Sequence, residues 1–103
     1  MSDEGTTQYG AVVEQLALGR RFLRRALGPC GTPRVAWQLD PFGHAREHAA
    51  IFAQMGYDGL FLGRVDHEDK VAREDARRLE LLWRGSDSLE APDADIFTGA
   101  SPP

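Results

Sequence analysis

An α/β domain built on a parallel strand–helix–strand unit is the fold this 103-residue sequence predicts. Two short apolar runs, RVAWQL at 34–39 and GLFLG at 59–63, flank a stretch with helical spacing from His44 to Gln54. The unit 34–63 has about the length of a βαβ crossover. Such units place two parallel strands in one sheet, with a right-handed connection. The composition agrees, at 42% apolar and 27% charged residues, the values of an ordinary globular domain. The length admits one small domain with a modest core.

The elements follow in order. The opening MSDEGTTQYG is acidic and polar, which is not the pattern of a signal peptide. From Tyr9 the apolar residues Tyr9, Val12, Val13, Leu16, Leu23 and Leu27, with Phe22 and Ala26 beside them, mark a helix with one buried stripe. Thr6 or Thr7 is positioned to cap it, and Gly28 and Pro29 stop it. Arg20, Arg21, Arg24 and Arg25 form either an anion-binding patch or a solvated face whose cations suit the helix C-terminus. A Gly-Thr-Pro turn then leads into the first buried strand, 34–39. The helix from His44 ends at Gly56, and the second buried strand is 59–63. HEDKVAREDARR reads as a loop running into a short exposed helix, LELLW (79–83) as a third strand, SDSLEAPDA as a linker or turn, and DIFTG (95–99) as a short final strand. The tail SPP supplies no closing element and suggests a piece of a larger domain. No internal repeat or low-complexity stretch is present.

A net charge of −4 argues against a nucleic-acid or anionic-membrane partner. No apolar run approaches the roughly 20 residues of a membrane helix. Cys30 stands alone in a Gly-Pro-Cys-Gly turn, so the sequence offers neither an internal disulfide nor a cysteine-based zinc site.

Chemistry concentrates where the first strand ends, in AWQLDPFGHAREH (36–48). In open α/β sheets, ligands bind outside the carboxyl ends of the strands. Asp40 sits at that edge, and the N-terminus of the next helix stabilises negative charge placed near it. An aspartate there serves as a nucleophile, a metal ligand or a plain helix cap. Arg64 occupies the matching place after the second strand, either as a structural ion-pair partner or as a cation that orients Asp40 or a substrate hydroxyl. Phe42 is placed to wall a pocket against the apolar face of a sugar, although pattern alone favours the core. His44, Glu47 and His48 match H-x-x-E-H, in which two histidines on one helix face hold zinc and the glutamate acts as base. Against that, His44, His48, Ile51, Phe52 and Met55 form the stripe a helix lays on its sheet. His67 lies in a charged stretch and is expected to be solvated.

The stretch PRVAWQLDPFGHAREHAAIFAQMGYDGLFLGRVDHEDK (33–70) resembles the nucleophile region of the family 38 glycoside hydrolases, the α-mannosidases, and most closely their lysosomal branch. The pattern W-[HQ]-[IL]-D-P-F-G-H-S-R-E-Q is matched from Trp37 to Glu47, and F-A-Q-M-G-[FY]-D-G follows at Phe52 to Gly59. The flanks DEGTTQYGAVVEQLALGRRFL and LWRGSDSLEAPDADIFTGA match as well, so the resemblance covers nearly the whole chain. It implies that Asp40 is the catalytic nucleophile and a zinc ligand, that Phe42 lines the mannose subsite, and that Arg64 stands beside the nucleophile. Ala45, His48 and His67 depart from the family's serine, glutamine and aromatic residue. The family's His-x-Asp motif, its distant zinc-binding histidine and its acid/base carboxylate have no match here.

The expectation is therefore a partial N-terminal α/β catalytic domain over 1–103, with its βαβ core at about 34–63. The resemblance implies a zinc-dependent retaining α-mannosidase acting on mannose-containing oligosaccharides, with the remaining zinc ligands outside this chain. It further implies the rest of the catalytic domain as partner, a lysosomal or secretory location for the parent enzyme, and an inactive isolated segment. The alternatives are a non-catalytic remnant and an H-x-x-E-H zinc hydrolase.

Overall fold

The computed structural model describes residues 1–101. Pro102 and Pro103, in the tail that suggests a piece, lie outside the described residues. Helix α1 spans Tyr9–Leu27 and is followed by a turn of 3₁₀ helix, Gly28–Gly31. Strand β1 (Val35–Gln38), helix α2 (Arg46–Gln54) and strand β2 (Gly59–Leu62) form the expected unit. Helix α3 (His67–Asp75), strand β3 (Glu80–Arg84) and strand β4 (Asp95–Ala100) complete the chain. The sheet order is β1-β2-β4-β3. β1, β2 and β4 run parallel, and β3 is an antiparallel edge strand.

Helix α2 lies on one face of this sheet. Ala49 and Phe52 from the helix meet Ala36, Leu60, Leu62 and Ile96 from the strands in the core, with Tyr57 from the turn between. Gly56 ends the helix because it adopts a φ of 83°, which costs a residue without Cβ nothing.

Five expectations are corrected. The cap of α1 is Gln8, whose side chain accepts from the Ala11 N–H, rather than Thr6 or Thr7. Glutamine reaches that amide where a threonine one turn-position earlier does not. The apolar stripe of α1 is mostly uncovered: only Val12 is buried, while Tyr9, Val13, Phe22 and Leu27 are exposed. The second half of this helix meets the 3₁₀ turn, where buried Gly31 lies close against Leu23 and Leu27, and its Arg20 donates to the Met55 carbonyl and lies over the Tyr57 ring. The strands are covered on one face only, with Val35, Trp37, Phe61, Leu82 and Phe97 exposed on the other. Helix α2 begins at Arg46, so His44 precedes it. The charged stretch from Asp66 becomes helix at once, because the Asp66 carboxylate caps the Asp69 N–H.

Candidate active site

Register builds the site. Gln38 pairs with Leu62 across β1 and β2, so Asp40 and Arg64 both stand two residues beyond paired positions. The ladder continues past the strands, with the Gly63 N–H donating to the Gln38 carbonyl at 2.9 Å and the Arg64 N–H to the Leu39 carbonyl at 2.8 Å. Gly63 allows this approach, since a Cβ there would come within 2.6 Å of the Leu39 carbonyl oxygen.

The Arg64 guanidinium closes on Asp40. Its Nε and Nη2 both donate to Oδ1, at 3.0 and 2.6 Å, and Oδ2 faces no protein donor in this cluster. The same guanidinium lies 4.7 Å from the centre of the Phe42 ring. Phe42 is 82% exposed, which settles the pattern's preference for the core in favour of a wall open to solvent. The ion pair is also open, with side chains 60% and 55% exposed at Asp40 and Arg64. Pairs so exposed contribute about 0.2–1 kcal/mol to stability. Folding alone gives little reason to keep a charge pair and a bare aromatic ring together at a sheet edge. A cleft of about 800 Å³ opens beside them, lined by Phe42, His44, Arg64, Asp66, Asp69 and Trp83 among others. Asp40 does not line it and joins it through Arg64. The volume suits a small-molecule site.

Beneath the loop that carries Asp40 lies a buried polar cluster. Glu4 reaches in from the amino-terminal segment, its side chain only 2% exposed. Its Oε1 stands 3.0 Å from His44 Nδ1, and its Oε2 accepts from the Ala45 N–H at 2.7 Å. Gln38 Nε2 donates to the same Oε1 at 3.0 Å and to the Ser2 carbonyl at 3.1 Å. His44 Nε2 lies 2.7 Å from the Arg64 carbonyl. Burial pushes the Glu4 carboxyl up, but bonds from His44, Ala45 and Gln38 outweigh it and leave it below the usual range. The hydrogen bond to Glu4 raises His44, against burial and with help from the Arg64 carbonyl. The carboxylate at the start of α2 is thus Glu4, whereas the sequence places Asp40 there.

The H-x-x-E-H arrangement is not formed. His44 is outside the helix with both ring nitrogens engaged, Glu47 is exposed, and His48 is buried against Gln38 and Phe52. Burial lowers His48, and its Nδ1 has no hydrogen-bond partner. Among the described residues no group of three His, Cys, Asp or Glu side chains could hold a metal ion. The donors of this segment therefore do not make a zinc shell by themselves. His67 is exposed at the start of α3, as expected.

Sequence reasoning finds Asp40, Phe42 and Arg64, and the structure brings all three together. It misses Glu4 and Gln38. Gln38 carries a readable signal, an amide at an inward position of an apolar strand. Glu4 carries none, because a polar segment folding back on a strand more than thirty residues away leaves no local pattern.

Residues 1–103 match the Glycosyl hydrolases family 38 N-terminal domain. The chain is 60% identical over 102 residues to the lysosomal alpha-mannosidase of Mus musculus and 55% identical over 102 residues to that of Homo sapiens. It is 42% identical over 103 residues to a probable alpha-mannosidase of Arabidopsis thaliana. Each match covers 99% of this chain, which spans 10% of the length of these relatives. The chain belongs to glycosyl hydrolase family 38, and its sequence is that of the family's N-terminal domain.

Proposed function

We propose that residues 1–103 are a partial N-terminal catalytic domain of a lysosomal retaining α-mannosidase, which removes terminal α-mannose from oligosaccharides and glycoprotein glycans. Asp40 is the nucleophile, and Phe42 and Arg64 bind the sugar. The observation that carries this reading is the cluster itself: a carboxylate, a guanidinium and a bare ring, set side by side by the register of two parallel strands. Arg64 holds one carboxylate oxygen and so orients the other toward a reacting carbon. In a retaining reaction that oxygen attacks the anomeric carbon as the bond to the leaving oxygen breaks. A carboxylic acid outside this segment protonates the leaving group, then takes a proton from the water that releases the sugar. The Phe42 ring offers an apolar surface to a pyranose face.

Asp40 is also proposed as one zinc ligand, with the others outside this chain. When bound, such an ion supplies positive charge to sugar hydroxyls and fixes their orientation. The names of the relatives support the mannose specificity and the lysosomal setting.

The test uses the completed enzyme, in which this segment is joined to the rest of a lysosomal α-mannosidase. Asp40→Asn is expected to abolish turnover of an aryl α-mannoside, since an amide is a poor nucleophile. A slow fluorinated mannosyl donor should label the Asp40 peptide, read by mass spectrometry. Near-normal activity of the variant, or a label on another residue, would sink the assignment.

A further inference from the structure

We infer that Glu4 and His44 are positioning residues, which hold the Asp40 loop onto the Arg64 strand end through a doubly donating imidazolium. The inference rests on the proposed role of Asp40 and names what keeps that residue in place.

The geometry is specific. His44 Nδ1 faces a carboxylate oxygen at 3.0 Å, and Nε2 faces a backbone carbonyl at 2.7 Å. Both partners are acceptors, so both ring nitrogens must carry a proton. A neutral ring satisfies one partner and turns a lone pair on the other. His44 lies in the loop between Asp40 and α2, and the carbonyl it holds belongs to Arg64, the residue that grips Asp40. One imidazolium therefore ties the nucleophile's loop to the arginine's backbone. Glu4 fixes the other side of the loop by accepting from the Ala45 N–H at 2.7 Å.

Burial makes the tie firm. The side chains of Glu4 and His44 are 2% and 14% exposed, unlike the open pair above them. Water competes little for the bond between His44 and Glu4, and charged bonds are stronger where water is excluded. The titratable and charged groups around His44 are Glu4 from the amino-terminal segment, His48 from α2, and Arg64 and Asp66 beyond β2. Among these, Glu4 is the buried anion bonded to the ring, and burial lowers the pKa of His48.

The consequence is an acid-favoured site. Below the raised pKa of His44 both bonds exist, and above it one is lost. The test compares kcat, KM and the pH profile of kcat in the completed enzyme. His44→Gln, whose amide donates to only one of the two acceptors in line, should lower kcat by about 10- to 100-fold, the cost of small misplacements at a reacting centre. KM should move less, because Phe42 and the cleft remain. The drop in kcat on the alkaline side should flatten in His44→Gln and begin at lower pH in Glu4→Gln. Glu4→Gln keeps the side-chain shape and an acceptor for the Ala45 N–H, so it decides the matter if His44→Gln fails to fold. Wild-type kcat together with an unshifted alkaline limb in Glu4→Gln overturns the inference. The two proposals fail separately: an inactive Asp40→Asn with unaffected Glu4 and His44 variants leaves the nucleophile standing and removes the tie. An active Asp40→Asn removes the nucleophile, whatever the pair does.

Discussion

At the residue scale, two buried ionisable side chains, Glu4 and His48, and the partly buried His44 give this segment opposing pH responses. His44 is raised above 6.5 by Glu4, so its contribution to stability is complete below the unfolded value and is lost as pH rises through the folded one. His48 is lowered by burial, so its penalty grows as pH falls below 6.5, where the unfolded chain takes up a proton that the folded chain refuses. Glu4 is lowered below 4.5, so its contribution is present above that value and is lost as pH falls through the folded pKa. His48 is the removable member of this set, because its Nδ1 makes no hydrogen bond and it touches neither Asp40 nor Arg64 in any bond. His48→Gln in the completed enzyme should leave kcat and zinc content almost unchanged. Its urea midpoint should depend less on pH below 6.5 than that of the wild type, despite the loss of the edge contact with Phe52. Loss of bound zinc in this variant, by metal analysis, would restore the metal-site reading of the two histidines.

At the scale of elements, the strand–helix–strand unit was legible because each part carries its own local signal. β1 and β2 are short apolar runs bounded by turn residues, and α2 shows a helical stripe at His48, Ile51, Phe52 and Met55. The matched positions of Asp40 and Arg64 follow from parallel pairing, so their meeting could be read before any contact was known. The start of α2 could not. His44 has the right spacing for the helix, yet Glu4 and the Arg64 carbonyl hold it outside, and both contacts span long stretches of sequence. α1 failed in another way. Its amphipathic pattern is genuine, but a pattern shows which face can be buried and not whether anything covers it. The join between β1 and β2 yields a test at this scale. Gly63→Ala adds a Cβ that would stand 2.6 Å from the Leu39 carbonyl oxygen and 3.0 Å from the Leu39 Cα, atoms of backbone that cannot swing aside. The two strand ends must then separate. The expected cost is about 1–3 kcal/mol in urea unfolding. Because the spread also pulls Arg64 from Asp40, kcat should fall along with stability. Wild-type stability and activity in Gly63→Ala would show that the close approach is dispensable.

At the scale of the whole molecule, the sheet formed among the described residues has one face bare. Val35, Trp37, Phe61, Phe97 and Leu82 are 54%, 46%, 38%, 45% and 64% exposed, and they come from all four strands. Sheets of parallel strands are normally covered on both faces. β1 and β3 also present open edges, to which other chains can add. The core under α2 is small, and burial on that scale barely offsets the entropy of ordering the chain. Of the proposed zinc ligands Asp40 alone belongs to this chain, no group of three candidate donors exists among the described residues, and the proposed acid/base carboxylate lies outside it. The isolated chain is therefore expected to be marginally stable or to aggregate, to lack α-mannosidase activity and to bind zinc weakly. Scanning calorimetry and zinc titration of the purified 103 residues check this directly. A sharp melting transition that moves upward with zinc, or a dissociation constant in the micromolar range or tighter, would mean that side chains of this segment gather around Asp40 in solution. With none of those signs, the bare sheet face and the single proposed ligand would both support the proposal that this segment is part of a larger catalytic domain.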